Sequence, residues 1–153
     1  MTQAAFCWMP PQDVRVKAMG VTLRGAARQD MFLQEVYGSD RKIKGYRPPG
    51  GSVDFGEASE KTLLREFKEE LNADITIEGF LGAVENIYVH EGQQGHEIIF
   101  LYQVILPPHL MEGDWHPYTE ERGDDPSGFA WVNFKHLAQE GRLFPQQLME
   151  VVA

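Results

Sequence analysis

Alternating apolar and polar positions mark several strands along the chain. Val14–Arg24 reads VRVKAMGVTLR, and its β-branched alternation is typical of a strand. His96–Leu106 is the most apolar stretch and is therefore the best candidate for a central strand. Less regular stretches predict three more strands, which are Met31–Tyr37, Ile75–Tyr88 with a break near Gly79 or Gly82, and Phe129–Val132. The polar segment His90–Gly95 is predicted to be a hairpin connection.

One segment has a helical repeat of apolar positions, from about Ala58 to Leu71. At 100° per residue, four apolar side chains share one face, which are Leu63, Leu64, Phe67 and Leu71. Asn72 follows where this helix should end, and asparagine readily adopts the left-handed conformation that closes many helices. Two short helices are predicted near the end of the chain, at Lys135–Gly141 and Gln146–Val152.

Proline and glycine interrupt these patterns in two places. Tyr46–Gly56 (YRPPGGSVDFG) contains two prolines and three glycines, which predicts a shaped loop without regular structure. Pro107–Gly128 is long for a structureless connection, so it is either a functional loop or holds a short helix. Strands and helices otherwise follow one another without a linker. We therefore expect a single domain over residues 1–153, of the α/β or α+β class.

Composition and charge restrict the classes of partner. The 153 residues include 14 Lys+Arg and 23 Asp+Glu, and a formal net charge of -9 disfavours a nucleic-acid polymer as partner. An acidic protein would need a divalent cation to mediate contact with a phosphorylated ligand. Cys7 is the only cysteine, so no intrachain disulfide is expected. The sequence has no long apolar run and no secretory signal, which predicts no membrane partner and a cytoplasmic location.

Three acidic side chains form a patch on one flank of the predicted helix. Glu66, Glu69 and Glu70 fall beside the apolar face, whereas Arg65 and Lys68 fall on the other flank. Each like-charged pair at i and i+4 costs about 0.2–0.5 kcal/mol, and the end of a helix disfavours negative charge. A bound Mg²⁺, which prefers oxygen ligands, would reverse the sign of both effects. The alternative is a solvated acidic helix face.

The glycine segment in front of the helix favours the cation. Gly50 and Gly51 let the backbone approach a ligand and expose carbonyl oxygens that can bind it. Pro48 and Pro49 stiffen the approach to this point. A rigid glycine loop leading into three acids is suited to hold a cation and a phosphate, which makes Gly51 a candidate substrate-binding position.

The segment from this loop to the end of the helix resembles the Nudix box, G-x5-E-x7-R-E-U-x-E-E-x-G-U, where U is a bulky apolar residue. In this chain it reads Gly51-x5-Glu57-x7-Arg65-Glu66-Phe67-x-Glu69-Glu70-x-Asn72-Ala73. The first glycine, the arginine and all four glutamates stand in register. The departures are Asn72 for the last glycine, which preserves the left-handed cap, and Ala73 for the last bulky residue.

The resemblance implies both a fold and a reaction. The fold is a Nudix-like α/β/α sandwich with a mixed β-sheet between helices. The reaction is hydrolysis of a pyrophosphate linkage in a nucleoside diphosphate derivative, with Mg²⁺ or Mn²⁺ as cofactor. The resemblance also implies a set of metal ligands, namely the Gly50 carbonyl, Glu66, Glu69 and Glu70. Arg65 would pair with Glu57 and orient the ligating acids. Which of these carboxylates activates water varies within the family.

Three residues outside the box are further candidates. Glu97 follows His96 at the start of an apolar strand, and some family members use a glutamate from this region as a further metal ligand or base. A polar residue at a strand end is the alternative. Arg47, just before the prolines, is either a phosphate-binding cation or an exposed one. Tyr88 lies where the family carries substrate markers and is compatible with dinucleoside polyphosphates, although an ordinary strand tyrosine is the simpler interpretation.

Aromatic side chains elsewhere allow two interpretations each. Trp115, His116 and Tyr118 either stack on a base or pack against the protein body, and packing is favoured. Phe6 and Trp8 either pack on the body or form a dimer contact, so a homodimer stays open.

Three functions fit the sequence. The first is a Nudix-type pyrophosphohydrolase acting on a small nucleotide-type molecule. The second is a non-catalytic module that binds a nucleotide, and the third is an isomerase acting on a diphosphate ester on the same fold. The complete set of box carboxylates favours hydrolysis. Specificity in such folds resides in loops outside the box, so the sequence leaves the particular nucleotide open.

Overall fold

Nine strands and four helices make up residues 7–152, the part of the chain that the computed structural model describes. The strands are β1 (Val14–Val21), β2 (Leu23–Arg24), β3 (Asp30–Tyr37), β4 (Ile43–Arg47), β5 (Gly50–Ser52), β6 (Thr76–His90), β7 (Gln93–Ile105), β8 (Trp115–Pro117) and β9 (Gly128–Asn133). The helices are α1 (Ser59–Leu71), α2 (Pro108–Met111), α3 (Phe134–Gln139) and α4 (Leu148–Val152). No helix within residues 7–152 is long and apolar enough to cross a membrane.

The first sheet is mixed and has the strand order β5-β1-β7-β6. β1 runs parallel to β7, while the β5–β1 and β6–β7 pairs are antiparallel. β7 lies between two other strands, which confirms the central position predicted from its apolar sequence. The β6–β7 register shifts between Ile77 and Gly79 and again between Phe80 and Gly82. These irregularities occur at the two glycines where a break was predicted, but they bend the strand without ending it.

The second sheet is antiparallel and has the order β2-β3-β9-β8, with β4 also paired to β3. The stretch Val14–Arg24, predicted as one strand, contributes to both sheets because β1 ends at Val21 and β2 begins at Leu23. Thr22 lies at the crossing, and its hydroxyl donates a hydrogen bond of 2.8 Å to the Val104 carbonyl.

Neighbouring residues of the central strands face opposite cores, and this produces the layers. Ala18 and Phe32 pack in the core that contains Phe67 of α1. Met19 and Leu33 pack in a second core with side chains from α3 and α4. Because side chains alternate across a strand, α1 covers one face and the two C-terminal helices cover the other. The predicted α/β/α sandwich is therefore confirmed, with its strands divided between a mixed and an antiparallel sheet.

Helix α1 ends where the sequence predicted, but its buried face differs. Asn72 is left-handed, with φ 49° and ψ 39°, and its backbone N–H donates to the Lys68 carbonyl at 3.0 Å. Leu64, which was expected in the buried face, is 39% exposed, whereas Glu70 is only 8% exposed. The buried face thus extends toward the acidic flank, and this brings one acid of the patch into the protein.

The prediction that Tyr46–Gly56 lacks regular structure is wrong in part. β4 extends into it as far as Arg47, and Gly50–Ser52 form β5, which pairs with β1. Glycine explains the pairing, because a Cβ atom at Gly50 would lie 1.9 Å from the Ala18 carbonyl oxygen. The backbone can therefore approach β1 only where no side chain intervenes.

The other connections are shorter or more ordered than expected. The hairpin predicted at His90–Gly95 is a turn at Glu91 and Gly92, whose φ angles of 49° and 80° match the tight turn between long strands. The long segment Pro107–Gly128 contains the short helix α2, as one interpretation predicted, and also β8. Both short helices predicted near the end of the chain are present as α3 and α4.

Candidate functional site

The glycine segment and helix α1 meet at Gly51 and Glu66. A Cβ atom at Gly51 would lie 2.3 Å from the carboxyl carbon of Glu66. The backbone of β5 therefore lies directly against this carboxylate. Pairing with β1, in which Ala18 stands opposite Gly51, holds β5 in this position. The glycine segment and the acidic patch are thus adjacent, as the sequence predicted.

Arg65 contacts four carboxylates around this junction. Its Nε and Nη2 donate to the two oxygens of Glu57 at 2.8 and 2.9 Å, which is a bidentate pair. Its Nη1 donates to Glu66 at 3.0 Å and to Glu69 at 3.4 Å. Asp54 lies 3.4 Å from Nη2. The pairing with Glu57 is the contact that the resemblance implied. The resemblance also implied that Arg65 orients the ligating acids, and its long side chain reaches Glu66 and Glu69 from the flank where the helical wheel placed it.

Glu57 joins the loop to the helix. Besides Arg65, the Thr62 hydroxyl donates to this carboxylate at 2.6 Å, and the backbone N–H of Asp54 donates to it at 3.3 Å. The hydrogen bonds from Arg65 and Thr62 lower the pKa of Glu57 to about 2. Glu57 is therefore ionised at neutral pH and ties the segment before α1 to the side of that helix.

The acids of the patch differ in burial. Glu70 is buried, the side chain of Glu66 is largely buried, and that of Glu69 is half exposed. Burial and, to a smaller extent, the nearby charge of Glu66 raise the pKa of Glu70 to about 8, although Arg47 and Arg122 oppose the rise. Burial also raises the pKa of Glu66. Two neighbouring carboxyl groups are therefore held where a negative charge is unfavourable unless a cation compensates it.

The residues at this junction fit a hard divalent cation. The patch and the adjoining glycine backbone offer only oxygen donors, which Mg²⁺ and similar ions prefer. A cation would also relieve the unfavourable burial of Glu70 beside Glu66. Within residues 7–152, no group of three or more His, Cys, Asp or Glu side chains converges as metal ligands do. Glu66 and Glu69 bind Arg65 instead, so a cation would compete with the guanidinium for their oxygens.

A cavity of about 340 Å³ has a volume within the range of small-molecule sites, and no acid of the patch and no residue of β5 belongs to its wall. Three residues predicted outside the box line it, namely Arg47, Tyr88 and Glu97. Lys44 and Arg122 add two further cationic side chains to its wall. Arg47 and Arg122 are also the cations that act on the pKa of Glu70, which connects the cavity to the buried end of the patch.

Glu97 belongs to a buried ion pair rather than to a strand end. β7 begins at Gln93, and Glu97 is 4% exposed. The Lys17 ammonium lies 3.6 Å from a Glu97 oxygen, and the Tyr88 hydroxyl donates to that oxygen at 3.4 Å. Burial lowers the pKa of Lys17 to about 7, with Arg47 adding to the effect and Glu97 opposing it. Sequence analysis missed Lys17, although a lysine inside an apolar strand was an available signal.

Comparison with protein-family models identifies the fold. The model described as the NUDIX domain matches residues 14–151. The chain belongs to the Nudix family. Nudix hydrolases generally use divalent metal ions and act on small nucleotide derivatives. Family membership therefore classes the chain as a pyrophosphohydrolase-type enzyme, as its sequence predicted.

Solved structures share the Nudix fold at low sequence identity. A MutT NUDIX hydrolase from Burkholderia pseudomallei has a TM-score of 0.55 at 19% identity, over 81% of this chain and 86% of that chain. The ORF135 protein of E. coli has a TM-score of 0.58 at 14% identity, over 94% of this chain and 92% of that chain. A NUDIX hydrolase from Nitrosomonas europaea has a TM-score of 0.57 at 17% identity, over 92% of this chain and 86% of that chain. No curated protein matches the chain.

Among the side chains of this Nudix cavity that were not predicted to bind the substrate are Trp8 and Arg122. The Trp8 side chain is 43% exposed. Its ring centroid lies 6.1 Å from the His90 ring centroid and 5.1 Å from the Arg15 guanidinium carbon. It therefore packs on the body at the cavity wall, while Phe6 lies outside the described residues. Arg122 lies in the mixed, acidic segment before β9, where nothing in the sequence distinguished it.

The aromatic residues of that segment pack against the protein, as favoured from the sequence. The Trp115 indole N–H donates to Glu35 at 3.2 Å. The Tyr118 ring lies 4.6 Å from that of Phe129, centroid to centroid, and its hydroxyl accepts a hydrogen bond from Gln34. Through these contacts, the aromatic side chains hold the segment Pro107–Gly128 against the second sheet.

Proposed function

We propose that this Nudix protein hydrolyses a pyrophosphate linkage in a nucleoside diphosphate derivative, with Mg²⁺ or Mn²⁺ as cofactor. The observation that carries the proposal is the buried, mutually repelling acid pair of Glu66 and Glu70, of which Glu66 lies against a glycine backbone and Glu70 is within the electrostatic range of Arg47 and Arg122 from the cavity wall. Such an arrangement is unfavourable for a protein that binds nothing there. It suits a cation that contacts the patch and a diphosphate in the cavity.

The metal would be held by the patch. Glu66, Glu69 and Glu70 are the proposed ligands, with the Gly50 carbonyl and Glu97 as further candidates. When bound, the ion would neutralise phosphate oxygens and lower the pKa of a water molecule. Because the acids of the patch titrate as a group, we assign the role of general base to the group and to no single member.

Other side chains position these acids and the substrate. Arg65, fixed by its bidentate pair with Glu57, orients Glu66 and Glu69 by hydrogen bonds from the same guanidinium. Arg47 and Tyr88 line the cavity and are proposed to contact the substrate, Arg47 through a phosphate. Gly51 keeps the backbone free of a side chain where the ligand would approach the patch.

The wider context of the proposal is a single domain acting on a small molecule in the cytoplasm. No nucleic-acid polymer or membrane is needed as partner, and the acidic net charge of -9 supports this. A homodimer remains part of the proposal as an alternative, because its predicted contact includes Phe6, which lies outside the described residues. No specific contact within residues 7–152 favours a nucleotide-sensing module or a diphosphate-ester isomerase.

One assay distinguishes these functions. The protein is incubated with Mg²⁺ or Mn²⁺ and a panel of nucleoside diphosphate derivatives, and released phosphate and nucleotide are measured. We expect turnover that Glu69→Gln or Glu70→Gln abolishes while the fold is retained. Glu60→Gln is the matched control, because Glu60 is an exposed acid of the same helix at a position where the box specifies no residue. Tight binding without product would instead indicate a sensing module, and conversion without cleavage an isomerase.

A further inference from the structure

The segment between β8 and β9 is tied to the end of helix α1. The backbone N–H of Thr119 donates to the Glu70 carbonyl at 2.8 Å. One residue earlier, Tyr118 packs on Phe129 and bonds Gln34, so the chain is held on both sides of this point. The residues that follow are thereby brought to the cavity, whose wall includes Arg122, Asp125 and Ser127.

Arg122 is held in a fixed position in that wall. Its guanidinium carbon lies 3.7 Å from the centroid of the Tyr118 ring, and its Nη2 donates to Asp125 at 2.8 Å. Asp125 is itself fixed by the backbone N–H of Ser127 at 2.9 Å and by the Ser127 hydroxyl at 2.6 Å. Such a stacked and paired guanidinium loses little conformational freedom when it binds a ligand.

The guanidinium of Arg122 retains hydrogen-bonding capacity. Its Nε is buried without a hydrogen-bond partner in the described part of the chain. Its Nη1 lies 3.5 Å from Glu120, a half-exposed acid, which is a weak contact. The two Nη groups carry four N–H donors, and the contacts within the described part of the chain leave some of these for a ligand, whereas the buried Nε is out of a ligand's reach. A planar guanidinium matches phosphate oxygens.

The position of Arg122 relative to the patch indicates what it would bind. Arg47 and Arg122 line the same cavity, and Thr119, three residues before Arg122, is hydrogen-bonded to the Glu70 carbonyl at 2.8 Å. We propose that Arg122 is a substrate-binding residue, whose guanidinium binds a phosphate of the substrate beside Arg47. This inference rests on the proposed function for the identity of the phosphate, and it gives the segment after β8 a part in substrate binding.

The same chain contains a matched arginine, Arg24, outside the cavity wall. Arg24 lies with its guanidinium carbon 4.5 Å from the Trp131 ring centroid and pairs with Asp114 at 3.1 Å. It donates to the carbonyls of Met111, at 3.0 Å, and of Gly113. Arg24 is absent from the cavity wall. It therefore reproduces the stacking and ion pairing of Arg122 without access to the ligand.

Binding of inorganic pyrophosphate tests the inference directly. Calorimetric titrations of the full chain are run in excess magnesium chloride and again in EDTA, for the wild type, Arg122→Ala, Arg122→Lys and Arg24→Ala. We expect Arg122→Ala to raise the Kd about tenfold, as loss of a charge-assisted hydrogen bond predicts, and Arg122→Lys to raise it less. Arg24→Ala should leave the Kd within about twofold of wild type. Circular dichroism and thermal unfolding establish that each variant is folded.

The outcomes separate this inference from the proposed function. Arg122-dependent pyrophosphate binding without turnover of any panel compound would support the inference and reject the hydrolase. With turnover, Arg122→Ala should raise KM about tenfold and change kcat much less. The inference is overturned if Arg122→Ala binds like wild type, if Arg24→Ala weakens binding equally, or if the wild type binds no pyrophosphate in either buffer. If Arg122→Ala does not fold, the Arg122→Lys variant decides by the same Kd comparison.

Discussion

The burial of Glu70 makes a quantitative prediction about the metal-free protein. Glu70→Gln replaces a carboxyl group by an uncharged group of the same shape, at a position that is 8% exposed. In EDTA, the folded wild type must keep this carboxyl protonated up to a pKa of about 8, mainly because burial disfavours its charge. The unfolded chain releases the same proton near its ordinary pKa of 4.5. The variant has no such proton to retain.

The sign and size of the effect follow from linkage. A carboxyl whose pKa is raised by folding contributes stability that is complete below pH 4.5 and is lost as the pH rises through about 8. Each pKa unit corresponds to about 1.4 kcal/mol, so the wild type should lose about 3 kcal/mol relative to Glu70→Gln between pH 4.5 and pH 7. The neighbouring acids titrate in both proteins, which makes the difference between the two the informative quantity.

Urea unfolding of both proteins in EDTA, at intervals from pH 5 to pH 8, measures this difference. Glu60→Gln, an exposed position on the same helix, should show no comparable pH-dependent gain. In excess magnesium chloride the order should reverse, because a cation that binds Glu70 stabilises only the wild type by mass action. A wild-type-to-variant difference that is independent of pH in EDTA would refute the reasoning that Glu70 is buried without compensation.

Three further predictions concern the same region. Gly51→Ala places a methyl group 2.3 Å from a carboxyl carbon of the patch, so turnover should fall at least tenfold while urea unfolding shows a loss of about 1 kcal/mol; unchanged turnover would contradict the close approach. Glu57→Gln should destabilise the protein at pH 7, but the difference from wild type should vanish as the pH falls from 4.5 to about 2, where the carboxyl paired with Arg65 becomes protonated. Leu63→Ala should cost about 2–5 kcal/mol in urea unfolding, and Leu64→Ala less than about 1, because only Leu63 is fully buried; equal costs would restore the face that the sequence predicted.

Local patterns predicted the elements well because the forces that shape them act locally. The helical repeat and Asn72 placed α1 correctly, since the cap depends on one backbone conformation. Glycine and proline content gave the wrong result at β5, because strand pairing with β1 is a long-range interaction that overrode the local preference. Long-range pairing also explains the division at Thr22, where the stretch Val14–Arg24, predicted as one strand, contributes to two sheets.

The candidate site could be predicted only as far as its residues follow one another in sequence. Helical spacing gave the acids of the patch, and the resemblance to the box implied the Arg65–Glu57 contact and the contacts of Arg65 with the patch. The helical wheel alone put Arg65 on the other flank, since it gives the direction of the Cβ atom and leaves the side-chain conformation unspecified. Lys17 and Arg122 reach the site from segments far apart in the chain, and only tertiary contacts bring them there.

The pairing of β1 with β7 has a consequence for the order in which the molecule assembles. The β6–β7 hairpin closes through a two-residue turn and can form early, whereas Ala18 meets Phe100 across 82 positions of chain. β5 has β1 as its pairing partner in the first sheet, so the glycine backbone reaches the glutamates only once that distant encounter has taken place. Turnover should accordingly be regained late in refolding. By then, most of the circular dichroism signal of the β6–β7 hairpin should already have been recovered.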